Sequence, residues 1–208
     1  MVSTNIKNNI AQWLSSAALA FVVVFALAGV TACSENEDST EEFANWKSVN
    51  DAYYNNLYKQ SVIDSVSDKS IKIIRSWSLT ELSTKPEDFI IVKKIKASNS
   101  NIKPLYTDSV EYHFQGKLLP SATYPNGKIF QQSWVGKTLD TSISTPYRTY
   151  VKKRIDGLIT ALQNMNVGER WQVYVPYQLG YQVGSAELGI PQYSVLIYDI
   201  SLSKIIRE

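Results

Sequence analysis

A single stretch of helical period, set among segments of strand period, limits the folds open to this chain. Ile155, Leu158, Ile159, Leu162 and Met165 fall on one face of a helix, and Val167-Gly168 supplies a C-terminal stop signal. On both sides the period is two. Val110, Tyr112 and Phe114 alternate with Glu111, His113 and Gln115, and Trp171, Val173 and Val175 alternate in a run that Pro176 ends. Phe89-Ile90-Ile91-Val92 and Lys93 to Lys96 form a β-branched run, Tyr124-Pro125-Asn126-Gly127 is a turn, Ile129 to Val135 resumes as strand, and Val195 to Ile206 closes the chain. Several antiparallel strands wrapped around one short helix make an α+β fold, with a concave apolar cleft between helix and sheet.

The other end of the chain has different grammar. An apolar run from Ala17 to Ala32 follows a polar stretch carrying Lys7 and ends in small residues, which is signal-peptide anatomy; an uncleaved anchor is the competing reading. Val30-Thr31-Ala32-Cys33 resembles the lipobox of bacterial lipoproteins, with Val in place of the usual Leu, and implies acylation at Cys33. Cys33 is the single cysteine, so an intramolecular disulfide is excluded. The polar, acidic run from Ser34 to Glu42 reads as a tether holding the folded part away from a membrane. Acids just after such a cysteine also resemble surface-export signals of Bacteroides-group lipoproteins.

Between tether and strands, Phe43, Trp46, Val49, Tyr53, Leu57 and Tyr58 recur near a helical period, predicting an amphipathic helix from Phe43 to about Val66 that docks on its own domain. Ile71 to Leu79 reads equally as helix or as an extended lead-in. The expected organisation is a signal peptide over 1–32, a tether over 33–42, a helical extension over 43–88 and the main domain over 89–208.

Composition and motifs exclude several chemistries. With 44% apolar and 19% charged residues the chain has the makings of a packed core, and a net charge of +2 without a basic block argues against nucleic acid as a partner. His113 is the single histidine and Cys33 is assigned to the lipid, so no His/Cys metal site can be assembled. A Ser-His-Asp triad would have to use His113, which sits between apolar neighbours with no nucleophile-elbow motif; a half-exposed strand histidine is the expected role. Phosphate-loop and dinucleotide motifs are absent.

The residues from about Phe89 to Ile206 resemble the FK-binding-protein (FKBP) type of peptidyl-prolyl cis-trans isomerase. Tyr112-His113-Phe114-Gln115-Gly116-Lys117-Leu118 is similar to the family's Val-His-Tyr-x-Gly-x-Leu strand, and Ile129-Phe130 to its Phe-Asp strand. Ile155-Asp156-Gly157-Leu158 resembles its helix start, and Leu162 to Gly168 the helix exit. Leu179-Gly180-Tyr181 and Ile190-Pro191 resemble its two loop motifs, and Leu196-Ile197-Tyr198-Asp199-Ile200 its closing strand. The resemblance implies a proline cleft with Tyr181, Phe130, Gln131 and Tyr198 in catalytic positions. Phe114, Tyr147, Ile155, Leu158 and Ile190 would bind substrate, and neither cofactor nor metal is implied. Five departures fall in the pocket motifs. Gln131 stands for the family's acid, Leu158 for its tryptophan, Arg154 for a small apolar residue, Gln182 for the glycine after the loop tyrosine, and Gln192 for the second loop proline.

Three functions follow as expectations: an isomerase acting on proline-containing exported polypeptides, a non-catalytic chaperone or peptide-binding module that keeps the cleft, and a lipoprotein whose N-terminal helix is the working surface. The expected location is the cell envelope, lipid-anchored to the outer membrane on its periplasmic or surface side, as a monomer.

Overall fold

Strand β3 (Ser109–Lys117) organises the molecule, because its two edges are used differently. The computed structural model describes residues 42–207; the signal peptide, Cys33 and most of the tether expected from the sequence lie outside those residues. One edge of β3 pairs antiparallel along its whole length with β7 (Leu196–Ile206). Its other edge is shared, the first half pairing with β5 (Tyr147–Tyr150) and the second with β4 (Ile129–Gln132). Beyond β7 come β6 (Arg170–Val175), β2 (Phe89–Lys96) and β1 (Ile71–Arg75), giving a seven-stranded antiparallel sheet in the order β1-β2-β6-β7-β3-β4 with β5 beside β3. The expected α+β architecture is present.

Directly opposed residues share a face of a sheet, so the register fixes what each face carries. Tyr112, Phe114 and Gly116 of β3 lie across from Leu202, Ile200 and Tyr198 of β7, and Ile200 and Tyr198 lie across from Trp171 and Val173 of β6. All the side chains in this set are buried. Helix α2 (Asp156–Asn164) covers this face with Leu158, Ile159 and Leu162, none more than 3% exposed. Gly157 is what lets it come close: a Cβ there would stand 2.3 Å from Val175 Cγ1. After α2, buried Glu169 accepts from Asn166 N at 2.9 Å and pairs with Lys94 at 2.6 Å, closing the turn into β6.

The amphipathic segment forms helix α1 (Trp46–Ser67), and it docks in cis. Its buried face differs from the sequence reading. Trp46, Asn50, Tyr54 and Ser61 are buried, whereas Val49 is 46% exposed. Hydrogen bonds hold two polar groups of the seam: Asn50 Oδ1 accepts from Val195 N at 2.8 Å, and Tyr54 donates its hydroxyl to Phe89 O at 2.7 Å. Apolar periodicity cannot see an asparagine buried to satisfy a backbone amide.

One open alternative is decided and two local expectations are revised. Ile71–Arg75 is a strand, since its ladder with β2 supplies backbone partners that a lone five-residue helix would lack. The strand at Ile129 stops at Gln132, short of the expected Val135, and Ser133 still bonds the middle of β3, its N donating to Phe114 O at 2.8 Å and its Oγ accepting from Phe114 N at 2.9 Å. His113 is buried, at 3% exposure, and not half-exposed. The last tether residue, Glu42, accepts hydrogen bonds from the hydroxyls of Ser121 and Thr123 and from Thr123 N, so the chain enters the domain at a fixed point.

Candidate functional site

The divided edge of β3 builds an aromatic cup. Tyr147 comes from β5, directly across from Tyr112, and Phe130 comes from β4, so the two flank Phe114 from the same side. Tyr147 meets Tyr112 and Phe114 edge-on, at ring distances of 5.9 and 5.7 Å. Phe130 stands edge-on to Tyr198 at 5.6 Å. Between them lies Gly116, where a Cβ would come within 2.6 Å of two Phe130 ring atoms and 2.8 Å of Tyr198 Cε1. Glycine is required because two rings cross its backbone.

Floor and rim differ in exposure. Tyr112, Phe114 and Tyr198 are at most 2% exposed, while Phe130, Ile155 and Tyr181 are half-buried and Tyr147 is exposed. Rings of this size make an apolar wall against which a small cyclic side chain can shed its water. Desolvation pushes the Tyr112 phenol up to about 12 and the Tyr198 phenol further still, and in both the nearby Tyr181 hydroxyl adds to the rise while Arg154 opposes it. Both hydroxyls therefore stay protonated donors at any physiological pH.

The remaining sequence-derived residues occupy distinct places. Ile155 precedes α2 and its carbonyl accepts from Leu158 N and Ile159 N, so the rim residue and the helix start are one unit. Leu158 has no exposed surface and stands in the core beneath the cup. Gln131 lies across the ladder from Gly116 and shares its face. Ile190 is buried, pinned by a pair of backbone hydrogen bonds with Ser185 at 2.8 and 2.9 Å, so packing as well as exposure accounts for a large apolar residue in that loop.

Two members of the cup lay outside the sequence-derived set. Tyr112 was visible as the strand partner two residues before Phe114, and Arg154 as a departure from the family motif. Arg154 places its guanidinium 5.3 Å from the Tyr147 ring centre, with Nε buried and unpartnered, and the Tyr112 hydroxyl is likewise buried without a partner.

The family model described as FKBP-type peptidyl-prolyl cis-trans isomerase matches residues 100–203, which include every member of this cup. The chain belongs to the FKBP family. Among curated FKBP relatives, the FKBP-type 22 kDa peptidyl-prolyl cis-trans isomerase of Escherichia coli is 31% identical over 103 residues, covering 50% of this chain and 44% of that protein. FK506-binding protein 2 of Candida glabrata is 30% identical over 120 residues, covering 58% of this chain and 81% of its own length. The chain thus spans about half the length of some curated relatives and most of others. Among solved structures, FkpA of Escherichia coli superposes with a TM-score of 0.54 at 18% identity, covering 99% of this chain and 73% of that one. A Pseudomonas syringae peptidyl-prolyl cis-trans isomerase superposes with a TM-score of 0.50 at 22% identity, covering 73% and 92%. At those identities the likeness is one of fold. Among the described residues no helix is long and apolar enough to cross a membrane.

Proposed function

We propose that this FKBP domain is a peptidyl-prolyl cis-trans isomerase acting on exported polypeptides. The observation that carries the reading is the crossing of Phe130 and Tyr198 over Gly116, which gives proline a ring-lined seat beside the hydroxyl of Tyr181. Rotation about an X-Pro bond is opposed by amide resonance, a barrier of ~18 to 20 kcal/mol. The planar amide is the more polar form, so a dry aromatic seat raises it relative to the twisted form. A donor at the substrate carbonyl supplies the rest, and the half-buried Tyr181 is the residue assigned to it. No nucleophile or cofactor enters, and a thousandfold acceleration needs only ~4 kcal/mol.

The setting of that activity belongs to the same proposal. Export by the leader, acylation of Cys33 and attachment to the outer membrane would confine the clients to exported chains passing the envelope, with the domain acting as a monomer. The second reading, a chaperone or peptide-binding module without turnover, is favoured by the neutral Gln131 in the family's acidic position and by Leu158, which is wholly buried where the family carries a tryptophan.

A protease-coupled assay on a Leu-Pro tetrapeptide separates the two. Wild type should accelerate the slow phase, Phe130→Ala should remove most of the acceleration, and Tyr181→Phe should lower it about tenfold, the worth of ~1 to 1.5 kcal/mol of hydrogen bonding. A slow phase at the uncatalysed rate, with peptide binding intact, selects the module.

A further inference from the structure

Arg154 is a cation built into the cup, and among the described residues no carboxylate pairs with it. The ion pairs among the described residues are Lys47–Asp51, Lys94–Glu169, Arg170–Asp199 and Arg207–Asp108, which leave Arg154 out. Asp156, two residues on, accepts from the Ser78 hydroxyl at 2.8 Å, and Asp108, whose carbonyl accepts from Val151 N, holds Arg207. The Tyr147 ring attracts the guanidinium without consuming its N–H donors, since a cation near a ring face is held by the ring and not by an acceptor.

A second, independent feature points the same way. The Tyr112 hydroxyl is buried without a partner, in a residue with no exposed surface, and it stands within the electrostatic reach of Arg154. Buried donors left unsatisfied are costly, so the unpartnered Arg154 Nε and Tyr112 hydroxyl leave this side of the cup short of an acceptor. Arginine's planar fork suits a carboxylate in particular. Arg154 also immediately precedes Ile155 on the rim, beside the proline seat, so the acceptor would come from a residue neighbouring the proline.

We infer that the cleft selects polypeptides with Asp or Glu next to the isomerising proline, and that Arg154 reads that carboxylate. The inference rests on the isomerase reading above. Lys152 and Lys153 lie over the Tyr150 ring at 5.5 and 5.6 Å and are exposed, so they add only a screened attraction at the margin.

The test uses tetrapeptides that differ only in the residue before proline, Glu, Gln or Leu, with isomerisation followed by NMR exchange at low salt. For wild type kcat/KM should favour Glu-Pro over Gln-Pro about tenfold, mostly through KM. Arg154→Gln should bring the ratio to about one, Arg154→Lys should keep part of it, and the Lys152→Gln, Lys153→Gln pair should keep most of it. A wild-type ratio at or below one, or a ratio that survives Arg154→Gln, overturns the inference. The Arg154 Nε–H resonance is recorded in the same titrations. If no peptide is turned over, the isomerase reading fails, and this resonance decides the recognition alone: saturation at lower concentration with the Glu peptide supports it, and equal response to Glu and Gln peptides refutes it.

Discussion

Trp46 Nε1 donates a hydrogen bond of 2.8 Å to Ser194 Oγ, joining the first turn of α1 to a residue 148 positions later. Ser194 passes the link on, its hydroxyl donating to Pro191 O at 2.7 Å, one residue from Ile190. Asn50 strengthens the junction by accepting from Val195 N while donating to Trp46 O. The N-terminal helix is therefore tied through two hydrogen bonds to the loop that follows Ile190.

Trp46→Phe keeps most of the ring contact and removes the donor. The expected loss is about 1 to 2 kcal/mol, a fall in Tm of ~2 to 8 °C for a domain of this size, read by thermal denaturation. Because the Ser194 hydroxyl that accepts this bond also holds Pro191, KM for proline peptides should rise while kcat changes little.

Gly157→Ala should be worse than its size suggests. Its Cβ would meet Val175 Cγ1 at 2.3 Å and Cγ2 at 2.8 Å, so either α2 or β6 must move. Overpacking of this kind costs about 1 to 3 kcal/mol in a urea titration. Val175→Ala in the same chain makes room, and the double variant should be more stable than the sum of the two single losses implies.

Gly116→Ala attacks the site and not the fold centre. The added methyl collides with the Phe130 ring and with Tyr198 Cε1, and Phe130, half-buried on a four-residue edge strand, is the partner free to swing out. Isomerase activity should fall at least tenfold while Tm changes by a few degrees. Peptide assays and calorimetry on one preparation check both halves.

His113 makes stability depend on pH. Burial holds its imidazole below the ordinary value of 6.5, and Nδ1 is buried without a partner. The unfolded chain binds the proton more readily than the folded one, so the contribution is fully present above pH 6.5 and is lost as pH falls through that value toward the folded pKa. Tm of wild type should drop between pH 7 and 5 by more than that of His113→Gln. Parallel slopes for the two proteins would contradict the assignment.

Much of this architecture was legible because it rests on periodicity. Helix α2, with Leu158, Ile159 and Leu162 facing the sheet, and strands β3, β6 and β7 follow from spacing alone. Short elements were not legible. Residues Ile71–Arg75 and Tyr147–Tyr150 acquire strand character from the partners they pair with, β2 and β3, which no local pattern announces. The buried face of α1 escaped for a different reason, since Asn50 is inside to satisfy Val195 N and Val49 is outside. In the cup, motifs led to Phe114, Phe130, Tyr181 and Tyr198, but the convergence of Tyr112 and Arg154 depends on register across β3 and β5 and on the chain's path into α2.

The ring-lined seat should accelerate rotation about an X-Pro bond. Uncatalysed exchange takes tens to hundreds of seconds, so two-dimensional NMR exchange spectra of a Leu-Pro peptide show no cis–trans cross peaks on a one-second mixing time. With the purified protein at a small fraction of the peptide concentration, cross peaks should appear and grow in proportion to protein, and Phe130→Ala should abolish them. Spectra without cross peaks, at protein concentrations where peptide shifts report binding, would contradict it.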